Sequence, residues 1–356
     1  MDMRCVGIDP GSKSFDFYGT DDNTILIDHS LPSEEVAANP HLLMEVIEPL
    51  QPLDIIVGPS GYGTPLTSLE AAAESVLTEI LPSDSGDVRV NEGIRNVFYL
   101  MKERRWPVYL TPGVIHLPTV PEYRKANRLD MGTADKVCVA FLSIWDQASF
   151  LNIPIEETSF ALVEIGFGFT AVLGIDKGRI VDGIGGTSGG PGFLCPGAMD
   201  AELAIRFGRK PQQILFTGGI RDLAGGDQTL TLEEMIADSD RFGEPLELFW
   251  ESIERSCVAM MVSVRAPREI LLSGRLARFP GVIEILTTRL ARHAPVRLVG
   301  RCAVVAKEAA EGAAMVGEGL LGGRFQPLVE RMRLREASGS MYDHILISGL
   351  RDEVRA

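Results

Sequence analysis

The sequence predicts an α/β protein in which one architecture is laid down twice. Two short apolar strands, residues 4–9 and 160–165, each lead through a glycine-bearing corner into a second strand, so a hairpin opens each half. Behind each hairpin, apolar strands alternate with amphipathic helical segments, the pattern of mostly parallel sheets covered by helices. The 356 residues are enough for two such cores. The repetition is one of architecture rather than of residues.

In the first half, the opening strand ends in Asp9 and turns through Pro10-Gly11-Ser12-Lys13 into a strand that runs through Tyr18. Gly11 is expected to supply a positive φ there. Residues 24–28 read as a third strand. Ser33 is placed to cap a helix running to about residue 48, with Glu34 and Glu35 in its first turn. A short buried strand, residues 54–57, opens into Gly58-Pro59-Ser60-Gly61-Tyr62-Gly63-Thr64, the kind of carboxyl-end loop where α/β folds hold ligands. Residues 92–104 form a helix with Val97, Leu100 and Met101 on its apolar face, and residues 107–110 a strand. A long proline-bearing irregular segment follows as far as Gly132, then an amphipathic helix over 133–145. The second half reads as strands 160–165, 169–176 and 179–183, a helix-rich stretch including 246–264, strand 269–273, helix 280–293 and strand 296–299. A small-residue helix over 302–321 follows, then a charged tail with a late strand over 345–348.

Composition narrows the function. Apolar residues make up 45% and charged residues 23%, as in an ordinary globular protein. The formal net charge of −15 argues against nucleic acid as a partner, since phosphate backbones demand a basic surface. A small basic pocket for a nucleotide stays compatible with it. The five cysteines are far apart, without a C-x-x-C pair or a zinc-ligand spacing, which points to a reducing compartment. The start lacks the apolar core of a signal peptide, and no apolar run is long enough to span a membrane. The expectation is a cytoplasmic protein with no membrane partner. A homodimer is compatible with the sequence, which does not name the oligomer.

Several residues have the chemistry of a site. Asp9, at a strand end, is suited to a hydrated Mg2+, while Ser12 and Lys13 at the hairpin tip suit an anion. An ordinary hairpin with a polar tip explains the same residues equally well. Gly166 and Gly168 let backbone N–H groups approach a phosphate, and Thr170 adds a hydroxyl, although glycine in a turn is often merely structural. Ser273-Gly274 ends a buried strand in small residues that admit a flat ring or a ribose. Gly186, Thr187 and Ser188 lie in a glycine-dense loop that lines an acceptor pocket together with Ser60 and Gly61, or acts as a lid. Arg124 and Arg128 are placed to neutralise a carboxylate or a phosphoryl group, or else form a solvated charge run. Asp135 lies in the first turn of its helix, where the macrodipole favours the ionised form.

The order of these segments carries a resemblance. Val6-Gly7-Ile8-Asp9-Pro10-Gly11-Ser12-Lys13, Thr133-Ala134-Asp135-Lys136, Glu164-Ile165-Gly166-Phe167-Gly168, Leu272-Ser273-Gly274 and Glu311-Gly312-Ala313-Ala314 resemble the five ordered motifs of the acetate and sugar kinase, heat-shock chaperone and actin superfamily. The likeness spans nearly the whole chain and is nearest to the archaeal-type butyrate kinases. It implies two ribonuclease-H-like domains in a duplicated actin-like ATPase architecture with a nucleotide cleft between them. The first domain would be residues 1–150 with helix 302–322 packed back onto it, the second 151–301, and 323–356 a tail. It also implies ATP and Mg2+ as cofactors: Asp9 and Glu164 toward the metal, Ser12, Lys13, Gly166 and Gly168 on the phosphates, and Gly274 on the adenosine. Glu164 stands where that pattern usually has Asp, and Arg275 where it has a second glycine. Gly132-Thr133-Ala134-Asp135 is further similar to a stretch of the type III pantothenate kinases, which would make Asp135 the base. The implied activity is phosphoryl transfer to a small acceptor, a short carboxylic acid first. A hydroxyl acceptor (a sugar or a pantothenate-like alcohol) and an ATP-hydrolysing switch are the alternatives.

Overall fold

The computed structural model describes residues 3–11, 13–22, 24–58, 61–80, 88–207 and 212–350. Apolar side chains on both faces build its first sheet. Strands β1 (Arg4–Pro10), β2 (Ser14–Asp21) and β3 (Thr24–Pro32) pair antiparallel, then β4 (Ile55–Val57) and β6 (Val108–Leu110) continue parallel to β1, and the two-residue β5 (Thr67–Ser68) closes the edge. The order is β3-β2-β1-β4-β6-β5. Val6, Ile8, Phe15, Phe17 and Ile56 point to one face, and Cys5, Ile55 and Val57 to the other. Helices α1 (Ser33–Ala38), α2 (His41–Ile47), α3 (Glu74–Ile80) and α4 (Val88–Glu103) accompany this half, followed by the one-turn α5 (Glu122–Lys125) and the long α6 (Ala134–Leu151).

The second sheet repeats the plan. Strands β7 (Ser159–Ile165), β8 (Thr170–Asp176) and β9 (Arg179–Ile184) form the antiparallel hairpins, and β10 (Glu269–Ser273) and β11 (Val296–Leu298) add parallel to β7 in the order β11-β10-β7-β8-β9. Phe160, Leu162, Leu173 and Leu271 join the core that contains α6, while Ala161, Val163, Val172 and Leu272 face the helices of the second half. Those helices are α7 (Ala201–Phe207), α8 (Ile220–Leu223), α9 (Leu232–Ala237), α10 (Ser239–Met260) and α11 (Pro280–Leu290). Two more follow, α12 (Glu308–Leu320) and α13 (Gln326–Arg331). Helix α12 packs on β1, β4 and α6. Among the described residues no helix is long and apolar enough to cross a membrane.

Four local expectations are corrected. Gly11 does not adopt a positive φ; a Cβ there would stand 2.5 Å from the Lys307 ammonium nitrogen and 3.0 Å from the Ser14 carbonyl oxygen, so the glycine makes room for the lysine. Ser33 does not cap a helix amide: its hydroxyl donates to the Gly11 carbonyl at 2.6 Å, and the expected single helix breaks at Asn39, the residue before Pro40. Residues 302–307 are not helical. Their amides are taken by side chains, with Val304, Val305 and Ala306 donating to Asp28, and Cys302 and Ala303 to Glu311. The segment 345–348 forms no strand, and the tail is not merely a charged extension, since Leu328, Val329, Met332 and Met341 are buried in the core around α6.

Candidate active site

The carboxyl ends of the parallel strands in both sheets open onto one cavity of about 310 Å3. From the first half come Asp9 at the end of β1, Gly11 and Lys13 in the hairpin corner, Ser14 at the start of β2, Gly61 and Tyr62 after β4, and Thr133, Asp135 and Lys136 at the start of α6. From the second come Glu164 near the end of β7, Gly166 and Gly168 in the second corner, and Gly274 and Arg275 after β10. Lys307 and Glu308 reach in from the start of α12. Gly274 is held at φ +92°, with the Ile165 carbonyl 2.5 Å from where a Cβ would stand, so glycine is needed on both counts.

The charged groups form two lysine-centred pairs of carboxylates. The Lys136 ammonium lies 2.5 Å from Asp135 Oδ2 and 3.0 Å from Glu164 Oε2, joining α6 to β7. The Lys307 ammonium lies 2.5 Å from Asp9 Oδ2 and 3.1 Å from Asp16 Oδ2. The Ser14 hydroxyl donates to Asp16 at 2.6 Å and accepts from Arg275 at 2.9 Å, which bridges the two halves. Burial works against ionisation of Asp135, but Lys136 and the Thr133 hydroxyl, 2.5 Å from Oδ1, outweigh it and hold this carboxyl below the usual range. Asp9 goes the other way: burial, with Asp135 and Asp16 nearby, raises it despite Lys307. Burial likewise raises Glu164. Burial depresses Lys136 and Lys307, but their carboxylate neighbours prevail and both are held charged.

A metal ion fits this chemistry in a limited way. Among the described residues no three His, Cys, Asp or Glu side chains converge as a ligand set. Asp9 and Glu164, expected to face a metal, each face an ammonium instead. Yet Asp9, Asp16, Asp135 and Glu164 meet only Lys136 and Lys307 in these pairs, a surplus of two negative charges. Asp16, fully buried, keeps Oδ1 without a hydrogen-bond partner. Hard oxygens in excess suit Mg2+, which binds through one or two carboxylates and keeps its other positions for water and phosphate.

The structure gathers most of the expected residues and leaves others out. Asp9, Gly11, Lys13, Asp135, Glu164, Gly166, Gly168, Gly274, Gly61, Gly186 and Thr187 line the cavity. Ser12 and Ser60 lie outside the described residues. Arg124 and Arg128 do not line it: Arg124 donates to the Val181 carbonyl at 2.7 Å and pairs with Asp182, and Arg128 is exposed. Thr170 and Ser273 are also absent from the lining; their hydroxyls are buried without partners. Ser188 donates to the Asp130 carbonyl at 3.0 Å rather than lining the cavity. Sequence reading missed Lys136, Lys307, Asp16 and Asp130. Asp130 accepts from the Thr187 amide and hydroxyl, both at 3.2 Å, and so ties the glycine-dense loop to the first half. Ser14 and Asp16 lie two apart on one strand and therefore on one face, a signal that was legible.

Two sheets of like order facing one cleft, each entered by a hairpin, define a duplicated actin-like ATPase architecture, and solved structures share it. An acetate kinase from Entamoeba histolytica superposes with a TM-score of 0.58 at 12% identity, over 81% of this chain and 86% of its own. A propionate kinase from Francisella tularensis gives 0.61 at 12%, over 86% and 98%. A Listeria monocytogenes protein proposed to be an N-acetylmannosamine kinase gives 0.52 at 13%, over 88% and 97%. At these identities the likeness is one of fold. The chain belongs to the family described as "Protein of unknown function (DUF1464)", whose model matches residues 7–347. No curated protein matches the sequence.

Proposed function

We propose that this protein is an ATP- and Mg2+-dependent phosphotransferase acting on a small acceptor. One observation carries the reading: two glycine-bearing hairpin corners, one from each sheet, meet in a single cavity around Asp9, Asp135, Lys136 and Lys307. Lys13 and the backbone of the two corners would hold the phosphates, and Gly274 would leave room for the nucleoside. Bound beside Asp9, Mg2+ would neutralise and orient the polyphosphate. In such transfers positioning and charge neutralisation supply most of the catalysis, and these residues are of the types that do both.

For the acceptor, the geometry best supports a hydroxyl. Asp135 faces the cavity and is held ionised, the state a general base needs. Arg124 and Arg128, which would have held a carboxylate, are engaged elsewhere or exposed. A short carboxylic acid, butyrate-like in the sense of the sequence resemblance, is the second reading. It draws on the shared fold of the acetate and propionate kinases. Titration calorimetry with a non-hydrolysable ATP analogue should show Mg2+-dependent binding that Asp9→Ala weakens. A panel of alcohols, sugars and short acids, scored for ATP-dependent ADP release, then identifies the acceptor. Absence of binding at millimolar analogue would overturn the nucleotide reading.

A further inference from the structure

The Lys307 ammonium stands at the point on which two carboxylates converge. Asp9 Oδ2 and Asp16 Oδ2 lie 2.5 and 3.1 Å from the same nitrogen. Asp16 is completely buried, and its Oδ1 has no hydrogen-bond partner. One ammonium therefore serves two carboxylates and leaves a buried oxygen unsatisfied, an arrangement that costs stability unless something further binds there.

The backbone that carries Lys307 is fixed independently. Just before it, the amides of Val304 and Ala306 donate to Asp28 at 2.6 and 2.7 Å, and just after it α12 begins. The Cα is thus pinned, and the ammonium is placed by its own side chain and its two carboxylate partners. The other wall of the niche is Gly11, where a Cβ would stand 2.5 Å from the ammonium nitrogen. The niche is shaped to admit this ammonium, and it is built of hard oxygen ligands.

We propose that Lys307 guards a divalent-cation site. Its ammonium occupies the point shared by Asp9 and Asp16, and a hard divalent cation takes that point only when the ammonium leaves. An incoming polyphosphate is the natural agent to draw the ammonium away, and only that part rests on the phosphotransferase reading. The guard keeps free metal out of the empty cleft and couples metal entry to ligand entry.

The test uses Mn2+ as probe, with the full-length protein and no nucleotide, reading free Mn2+ by electron paramagnetic resonance. Lys307→Met removes the guard. It is expected to bind one Mn2+ at least tenfold more tightly than the unaltered protein, and adding Asp16→Asn should abolish the gain. Lys307→Gln, whose amide can still donate to the two carboxylates but carries no charge, should also tighten Mn2+ binding. Equal Mn2+ affinity in folded Lys307→Met and unaltered protein, or a gain that survives Asp16→Asn, overturns the proposal. If Lys307→Met does not fold, Lys307→Gln decides: tighter binding supports the guard, and unchanged binding refutes it. Since no nucleotide is present, these outcomes are independent of whether the chain is a kinase.

Discussion

Asp135→Asn separates the two acceptor classes. The substitution keeps the shape of the side chain and its contact with the Thr133 hydroxyl, 2.5 Å from Oδ1. It removes the negative charge that Lys136 pairs with, and the ability to take a proton. A hydroxyl acceptor must lose its proton during attack, and a positioned base supplies about 10²–10⁴-fold. That is roughly 3–5 kcal/mol of barrier at about 1.4 kcal/mol per decade. A carboxylate acceptor is already ionised at neutral pH, so its turnover should fall roughly tenfold or less by the same scale. The assay is steady-state turnover with the acceptor found in the panel, together with calorimetric affinity for the ATP analogue. For a hydroxyl kinase, kcat collapses while nucleotide affinity changes little. Thr133→Val, which removes only the group that orients Asp135, should give a smaller loss of kcat. Turnover of Asp135→Asn within tenfold of the unaltered enzyme would refute the assignment of Asp135 as base and return the carboxylate to first place.

Two further predictions concern stability. His116 is buried with neither ring nitrogen hydrogen-bonded, and burial depresses it from 6.5 to about 4, with the Gly113 backbone opposing and Lys125 adding to the effect. The unfolded chain then takes up a proton near pH 6.5 that the folded chain refuses until about pH 4, so stability falls as pH drops through that window, by about 3 kcal/mol in total. Denaturant titrations from pH 7 to 4 should show that loss shrinking in His116→Phe, and parallel curves for the two proteins would contradict it. At the crossing of α6 and α12, a Cβ on Gly312 would stand 2.0 Å from the Cys138 carbonyl oxygen. Gly312→Ala should therefore destabilise by about 3 kcal/mol, the upper part of the overpacking range. Gly243→Ala, exposed beside the kink at Phe242 in α10 with open space around it, should change stability by no more than about 0.5 kcal/mol. A loss as small in Gly312→Ala would show that close helix approach is not what Gly312 provides.

How much of this was legible follows from the range of the forces involved. The hairpins and parallel strands were readable because β1, β7 and β10 are short apolar runs, buried on both faces and bounded by turn residues, a pattern written locally. The glycine corners were readable because backbone approach has a compositional signature. Lys307 was not, since a lysine ahead of a small-residue helix looks like a surface group until the fold brings it to Asp9. The helix expected over 302–321 begins only at Glu308 for a similar reason. Its composition favours a helix, but distant Asp28 and nearby Glu311 capture its first amides. Arg124 and Arg128 were misplaced because a charge cluster does not announce its partners, and the Val181 carbonyl and Asp182 come from the other half of the chain.

Three of the four residues that sequence reading missed share one property, and it bears on how the cleft works. Lys136 pairs with Glu164 at 3.0 Å, Asp130 holds Thr187 at 3.2 Å, and Asp16 is linked through Ser14 to Arg275. At the hairpin tips, Lys13 stands over the Phe167 ring at 4.9 Å. Each contact joins the first sheet's half to the second's, and each uses a side chain that lines the cavity or touches one that does. The groups that would meet a ligand are thus the same groups that hold the halves together without one. A ligand that engages Lys13, Lys136 or Arg275 must compete with these bridges, so its affinity is reduced by their strength and its arrival alters how the halves contact each other. Coupling between occupancy and the contact of the two halves would then run through the site's own side chains.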